Sequence, residues 1–181
     1  MGLTSSPWPL AGAFLWGAAE GSFFFLLPDI LLTWTALSSV RNAGRQIAAC
    51  LAGAVLAGAL MYGWSARGPQ ARQMVEQVPF VRDWMFKRAA QDLAAQGAWS
   101  IASGPARGIP YKVYAVLAPE RISLGEFLGV TLPARLWRFL CMTFVFALVG
   151  HWLRGRDRAA LLPWLHGFFW IALYAWYWSH V

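Results

Sequence analysis

The chain has 181 residues, of which 59% are hydrophobic and 13% charged, about half the charged share of an ordinary soluble domain. That composition excludes a disordered chain and leaves too little polar surface to cover a soluble globule of this size. The formal net charge of +7 does not point to nucleic acid, because the basic residues form no single face or stripe; it fits a membrane protein with arginines in its loops.

In chain order, residues 1–10 (MGLTSSPWPL) lack the basic side chain that opens a secretory signal, and MGLTSS fits the loose myristoylation pattern with no second feature behind it. Residues 9–40 are mostly apolar, too long for one upright span and too short for two. Pro28 interrupts them by removing a backbone donor and disfavouring helix at Leu27. Asp29 follows at once, placed to cap a second half-helix. The pattern predicts a helical hairpin that enters the membrane and leaves on the same side. Non-helical backbone at that depth is tolerated only inside protein or beside a water-filled cavity.

Residues 46–64 hold no charge, and Ile47–Trp64 is about one bilayer thickness of helix. Ala49, Gly53 and Ala57, with Ala54 and Gly58 beside them, read either as a small-residue packing face or as a generic alanine-rich span. Residues 65–92 then carry eight charges, five basic and three acidic. Val78, Val81, Trp84, Met85 and Phe86 predict an amphipathic helix at the membrane interface, with a solvated connector as the alternative.

Residues 98–134 return to apolar sequence broken by Gly104, Pro105, Gly108, Pro110 and Pro119, with Arg107 and Lys112 at or beside the breaks. They predict a second hairpin. Phe139–Leu153 forms a span, Arg154, Arg156 and Arg158 a polar loop, and residues 159–178 a last transmembrane helix with Pro163 near its start. The fold class expected is all-α: one polytopic membrane domain over residues 1–181. It would hold two oppositely oriented re-entrant helical hairpins, about three transmembrane helices and an interfacial amphipathic helix. One crossing between the hairpins gives them their opposed orientation, the layout of an inverted repeat.

The charges at depth are the informative ones. A charged side chain at mid-bilayer costs roughly 2.5–3.5 kcal/mol, and Glu20, Asp29, Arg107 and Lys112 all fall in the broken stretches. They pair, sit in a hydrated cavity, or include neutral acids. Burial favours the neutral acid, which makes Glu20 a candidate proton carrier; mutual neutralisation that locks the hairpins together is the structural alternative. Arg135 and Arg138, three apart on one helix face, suit either lipid phosphate or the setting of topology. Arg41 and Arg45 are weaker candidates to face the acids, and His166 reads as a packed, hydrogen-bonded histidine. Cys50 and Cys141 sit in separate apolar runs, and the histidines have no Cys, Asp or Glu at ligand spacing. No disulfide, metal, cofactor or catalytic nucleophile is therefore expected.

The segment AAEGSFFFLLPDILL resembles the first signature of the DedA family, the membrane proteins sharing the VTT or SNARE-associated Golgi protein domain. There a glutamate precedes a proline and an acid, here Glu20, Pro28 and Asp29. GPARGIPYKVYAVLAPERISLGEFL resembles the second signature, and IPYKVYAVLA is similar to the small YqaA-like branch. The resemblance covers roughly residues 10–150. It departs from the family at a single Pro28 where a proline-rich run is usual, and at an arginine that precedes Pro110, so Arg107 or Lys112 holds the family arginine's place.

The resemblance implies a multi-pass protein of the inner (cytoplasmic) membrane that serves membrane homeostasis. It would act as a flippase or scramblase for an anionic phospholipid or polyprenyl-phosphate lipid, coupled in some members to protons. By the same match, Glu20 and Asp29 are its essential acids, Arg107 the loop arginine and Arg135 or Arg138 the later one. The expected partners are anionic lipid and protons. The alternatives are a membrane enzyme acting on lipid phosphate and a structural membrane subunit.

Overall fold

Backbone in an apolar medium must satisfy its own N–H and C=O groups, and among the described residues every regular element is helical. The computed structural model describes residues 8–180, so the myristoylation pattern at residues 1–6 lies outside the described residues. The first apolar stretch forms α1 (Trp8–Ser22) and α2 (Asp29–Ser38), separated by a non-helical break at 23–28. Extended backbone at Ser39 ends α2, and the Ser39 hydroxyl accepts the Asn42 N–H to cap α3 (Val40–Ser65).

The connector is two helices rather than one. It forms α4 (Gln70–Glu76) and α5 (Asp83–Gln96), with a turn between them in which Phe80 adopts φ 66°. The apolar faces of α4 and α5, with Met85, Phe86, Ala89 and Leu93 fully or nearly buried, pack into one core with Ile101, Tyr114 and Phe127. Of the apolar residues that carry the periodicity, Val78, Met85 and Phe86 are buried in protein, Val81 is partly buried and Trp84 is 44% exposed.

The second broken stretch gives α6 (Trp99–Ser103), a 3₁₀ turn at Pro105–Arg107 and α7 (Tyr111–Leu117). Gly108 closes that turn at φ 77°, a left-handed conformation that favours glycine, and lets Ile109 and Pro110 lead into α7. The stretch ends earlier than 134. A capping box between Ser123 and Glu126 starts α8 (Leu124–Arg154), which runs on through Pro133. An interior proline costs a helix about 3 kcal/mol. Here the helix is held beyond it by α2 and α3, with Phe139 buried among Ala13, Leu32, Ile47 and Cys50. A 3₁₀ turn at Ala159–Leu161 precedes α9 (Leu162–His180).

Three helical segments, Val40–Ser65, Leu124–Arg154 and Ala159–Ser179, are long and apolar enough to cross a membrane. The small residues of α3 form a packing face. Gly53 lies against the Phe14 backbone and Gly17 against the Cys50 carbonyl, so closely that a Cβ at either would strike main-chain atoms. Arg41 and Arg45 are exposed and do not face the acids. The Arg154 guanidinium donates to the Leu37 carbonyl at the end of α2.

Candidate functional site

A cavity of about 700 Å³ opens between the two breaks and is closed by α8 and α9. The first break contributes Glu20 from the end of α1 and Asp29 from the start of α2; the second contributes Lys112 from the first turn of α7; α8 contributes Arg135 and Arg138. Glu20, Asp29, Lys112 and Arg135 are each no more than 6% exposed. Five of the six charged residues singled out in the sequence thus line one cavity.

They are not equivalent. Arg135 Nη1 donates to Glu20 Oε2 at 2.7 Å, a buried ion pair. The same guanidinium lies over the Tyr111 ring, 4.0 Å from its centroid. Its Nε and Nη2 have no hydrogen-bond partner. Arg138 Nη2 approaches Asp29 Oδ2 to 3.2 Å, yet the groups are not aligned as a hydrogen bond, and both Asp29 oxygens and the Arg138 Nε and Nη2 remain unbonded. Asp29 does not cap α2: its carboxylate takes no backbone N–H of that helix and turns to Arg138 instead. Lys112 Nζ donates to the Phe24 carbonyl at 3.0 Å across the two breaks. Among the described residues no carboxylate lies within ion-pair distance of Lys112.

Arg107 stands apart. Its guanidinium pairs with Asp92 of α5 at 2.8 Å and donates to the Ser103 hydroxyl, outside the cavity. Asp92 also takes Arg88 at 3.3 Å and the Tyr114 hydroxyl at 3.3 Å. Of the two bases at the second break, Lys112 is the one that meets the acids' surroundings.

α9 supplies what sequence reasoning missed. The Tyr174 hydroxyl accepts the Leu27 N–H at 2.7 Å, satisfying a donor freed by the first break. The Tyr177 hydroxyl donates to the Gly108 carbonyl at 3.2 Å, on the second break. Trp178 stacks on Phe80 at 4.8 Å and 10°, joining α9 to the turn before α5. Two tyrosines three apart on a mostly apolar helix were the available signal. His166 is the packed histidine expected, with Nε2 3.0 Å from the Thr33 hydroxyl and 3.1 Å from Trp170 Nε1, which donates to it. Tyr111 and Thr131 add buried hydroxyls to the cavity wall.

Among the described residues no cluster of three His, Cys, Asp or Glu groups offers to hold a metal ion. Comparison of the chain with protein-family models, with curated proteins and with solved structures finds no match in any of the three. The site therefore has to be read from its own chemistry: a polar, base-rich floor under an apolar and aromatic wall, in a membrane-embedded helical protein.

Proposed function

We propose that the protein is an integral membrane lipid transporter of the DedA type, moving an anionic phospholipid or polyprenyl-phosphate lipid in a proton-coupled cycle. In this reading the α1–α2 and α6–α7 units are opposed re-entrant hairpins, and the cavity between their breaks is where the headgroup crosses. The observation that carries it is the convergence of Glu20, Asp29, Lys112, Arg135 and Arg138 on one cavity whose remaining wall is apolar. Buried charges of this kind in a membrane protein mark substrate or ion paths, because a purely structural role is met at lower cost by apolar packing.

Lys112, Arg135 and Arg138 hold the phosphate, the two arginines through guanidinium nitrogens that have no hydrogen-bond partner. Glu20 holds Arg135 in register through their ion pair. Asp29 is the carboxylate with room for a proton, since neither of its oxygens accepts a hydrogen bond. A proton taken there releases Arg138, and a proton lost restores the pair.

Reconstitution in vesicles with fluorescent phosphatidylglycerol and dithionite quenching tests this. Wild type is expected to raise the quenched fraction above the outer-leaflet half and to respond to a pH gradient. Glu20→Gln is expected to lose most of that activity. Identical behaviour of the two proteins across the gradient rejects the mechanism. Exchanging the pair as Glu20→Arg with Arg135→Glu separates a transport site, which fails, from a structural lock, which survives.

A further inference from the structure

Charge and donor counts in the cavity narrow the ligand further, and this step rests on the transport reading above. The charged side chains lining the cavity are two carboxylates, Glu20 and Asp29, and three bases, Lys112, Arg135 and Arg138. Each carboxylate has an arginine beside it, at 2.7 and 3.2 Å. Lys112 has none, so the five charged side chains that line the cavity, Arg138 being 27% exposed, sum to one positive charge in excess. An unmatched cation as buried as Lys112, 2% exposed, is costly until an anion joins it.

The hydrogen-bonding inventory is lopsided in the same sense. Nε and Nη2 of Arg135 and Nε and Nη2 of Arg138 lack hydrogen-bond partners, four donor nitrogens against the two unbonded oxygens of Asp29. A lysine ammonium has three donors, and only one acceptor, the Phe24 carbonyl, is found for Lys112. The group complementary to these side chains is an acceptor with several oxygens and one negative charge. A phosphodiester has two non-bridging oxygens, one negative charge and no donor. A phosphomonoester carries close to two charges above its second pKa of about 6, one more than the site's excess.

We infer that the cavity selects a monoanionic phosphodiester headgroup over a phosphomonoester, and so, of the two cargoes in the transport reading, the anionic phospholipid over the polyprenyl phosphate, with Lys112 supplying the charge that is matched and the two arginines the fork geometry. The apolar remainder of the wall suits the first carbons of acyl chains rather than a free ion.

Tryptophan fluorescence of the purified full chain in neutral detergent reads the binding, since Trp137, Trp170 and Trp178 line the cavity. The titrants are phosphatidylglycerol, phosphatidic acid and phosphatidylcholine of equal chain length, and dimethyl phosphate, at pH 8. Wild type is expected to bind phosphatidylglycerol at least fivefold more tightly than phosphatidic acid and than phosphatidylcholine. Lys112→Met is expected to weaken phosphatidylglycerol tenfold or more. Asp29→Asn, which raises the excess by one charge, is expected to move the preference toward phosphatidic acid.

Equal or reversed affinities in wild type overturn the inference with no variant needed, and so does a preference that neither substitution moves. Dimethyl phosphate competing at lipid-like concentration assigns the site to a soluble diester and overturns the lipid source. Vesicle transport by a protein that binds the two lipids equally defeats this inference and leaves the transport reading standing. Selective binding without transport does the opposite.

Discussion

Two clusters of opposite charge join distant parts of this chain, and they differ in surroundings more than in composition. In the cavity, Glu20 and Arg135 meet at 2.7 Å with side chains 5% and 7% exposed. At the connector, Asp92 is equally buried, but it shares Arg107, 29% exposed, and Arg88, 56% exposed, and takes the Tyr114 hydroxyl as well. The connector cluster is over-supplied: its carboxylate has three partners, and its cations reach solvent. The cavity cluster is under-supplied, with guanidinium nitrogens and carboxylate oxygens left unbonded. A saturated cluster holds helices together, and an unsaturated one leaves groups for something that arrives.

The largest expected effect is on the cavity side. Arg135→Ala leaves Glu20 buried beside a void and removes the guanidinium stacked on Tyr111. Breaking a buried pair by removing one partner costs about 3–5 kcal/mol. Unfolding in mixed detergent micelles, followed by tryptophan fluorescence, is expected to show that loss together with loss of vesicle transport. Replacing both partners, Glu20→Gln with Arg135→Met, is expected to recover most of the stability and none of the transport. Recovery of transport in the double variant reduces the cavity pair to the same structural status as the connector pair.

Much of this contrast was legible in the residues, and the part that was not has physical causes. The two broken stretches, the small-residue face of α3 and the capping function of proline and glycine positions are local properties, and the helices follow them. The suspicion that fell on Glu20, Asp29 and Lys112 needed only the cost of a charge at depth. Arg107 attracted the same suspicion because it sits in the same break, but its partner Asp92 lies 15 residues earlier on a helix whose docking face no local pattern reveals. The long α8 was obscured by Pro133: a helix breaker in isolation, it is overridden by packing along both sides of the proline. Ser123 and Glu126, at capping-box spacing, did carry the start of α8. The role of α9 depends on two tyrosine hydroxyls reaching backbone groups 69 and 147 residues away, which only the tertiary fold brings within range.

On the connector side, Arg107→Ala is expected to cost about 1 kcal/mol, the net worth of one hydrogen-bonded pair when the acid keeps other partners. Asp92 retains Arg88 and Tyr114 in that variant. Vesicle transport is expected to stay within about twofold of wild type, because the side chain lies outside the cavity. Transport lost to the extent seen for Arg135→Ala, with folding intact, moves Arg107 back into the site and dissolves the contrast between the clusters.

The smallest effect calibrates the scale. Arg72 and Glu76 form an i,i+4 pair on α4 at 2.9 Å with side chains 47% and 40% exposed, and Arg72 also lies 5.1 Å from the centroid of Phe86. Arg72→Ala is expected to cost about 0.5 kcal/mol or less after solvent screening. Salt near 1 M, where the screening length falls to about 3 Å, is expected to erase that difference. The same salt step is expected to leave the loss from Arg135→Ala nearly unchanged, since the Glu20 carboxylate is shielded from the counterions that would replace its partner. Parallel salt dependence of the two variants would mean that water and ions reach Glu20 freely, and the cavity charges would then need no ligand to satisfy them.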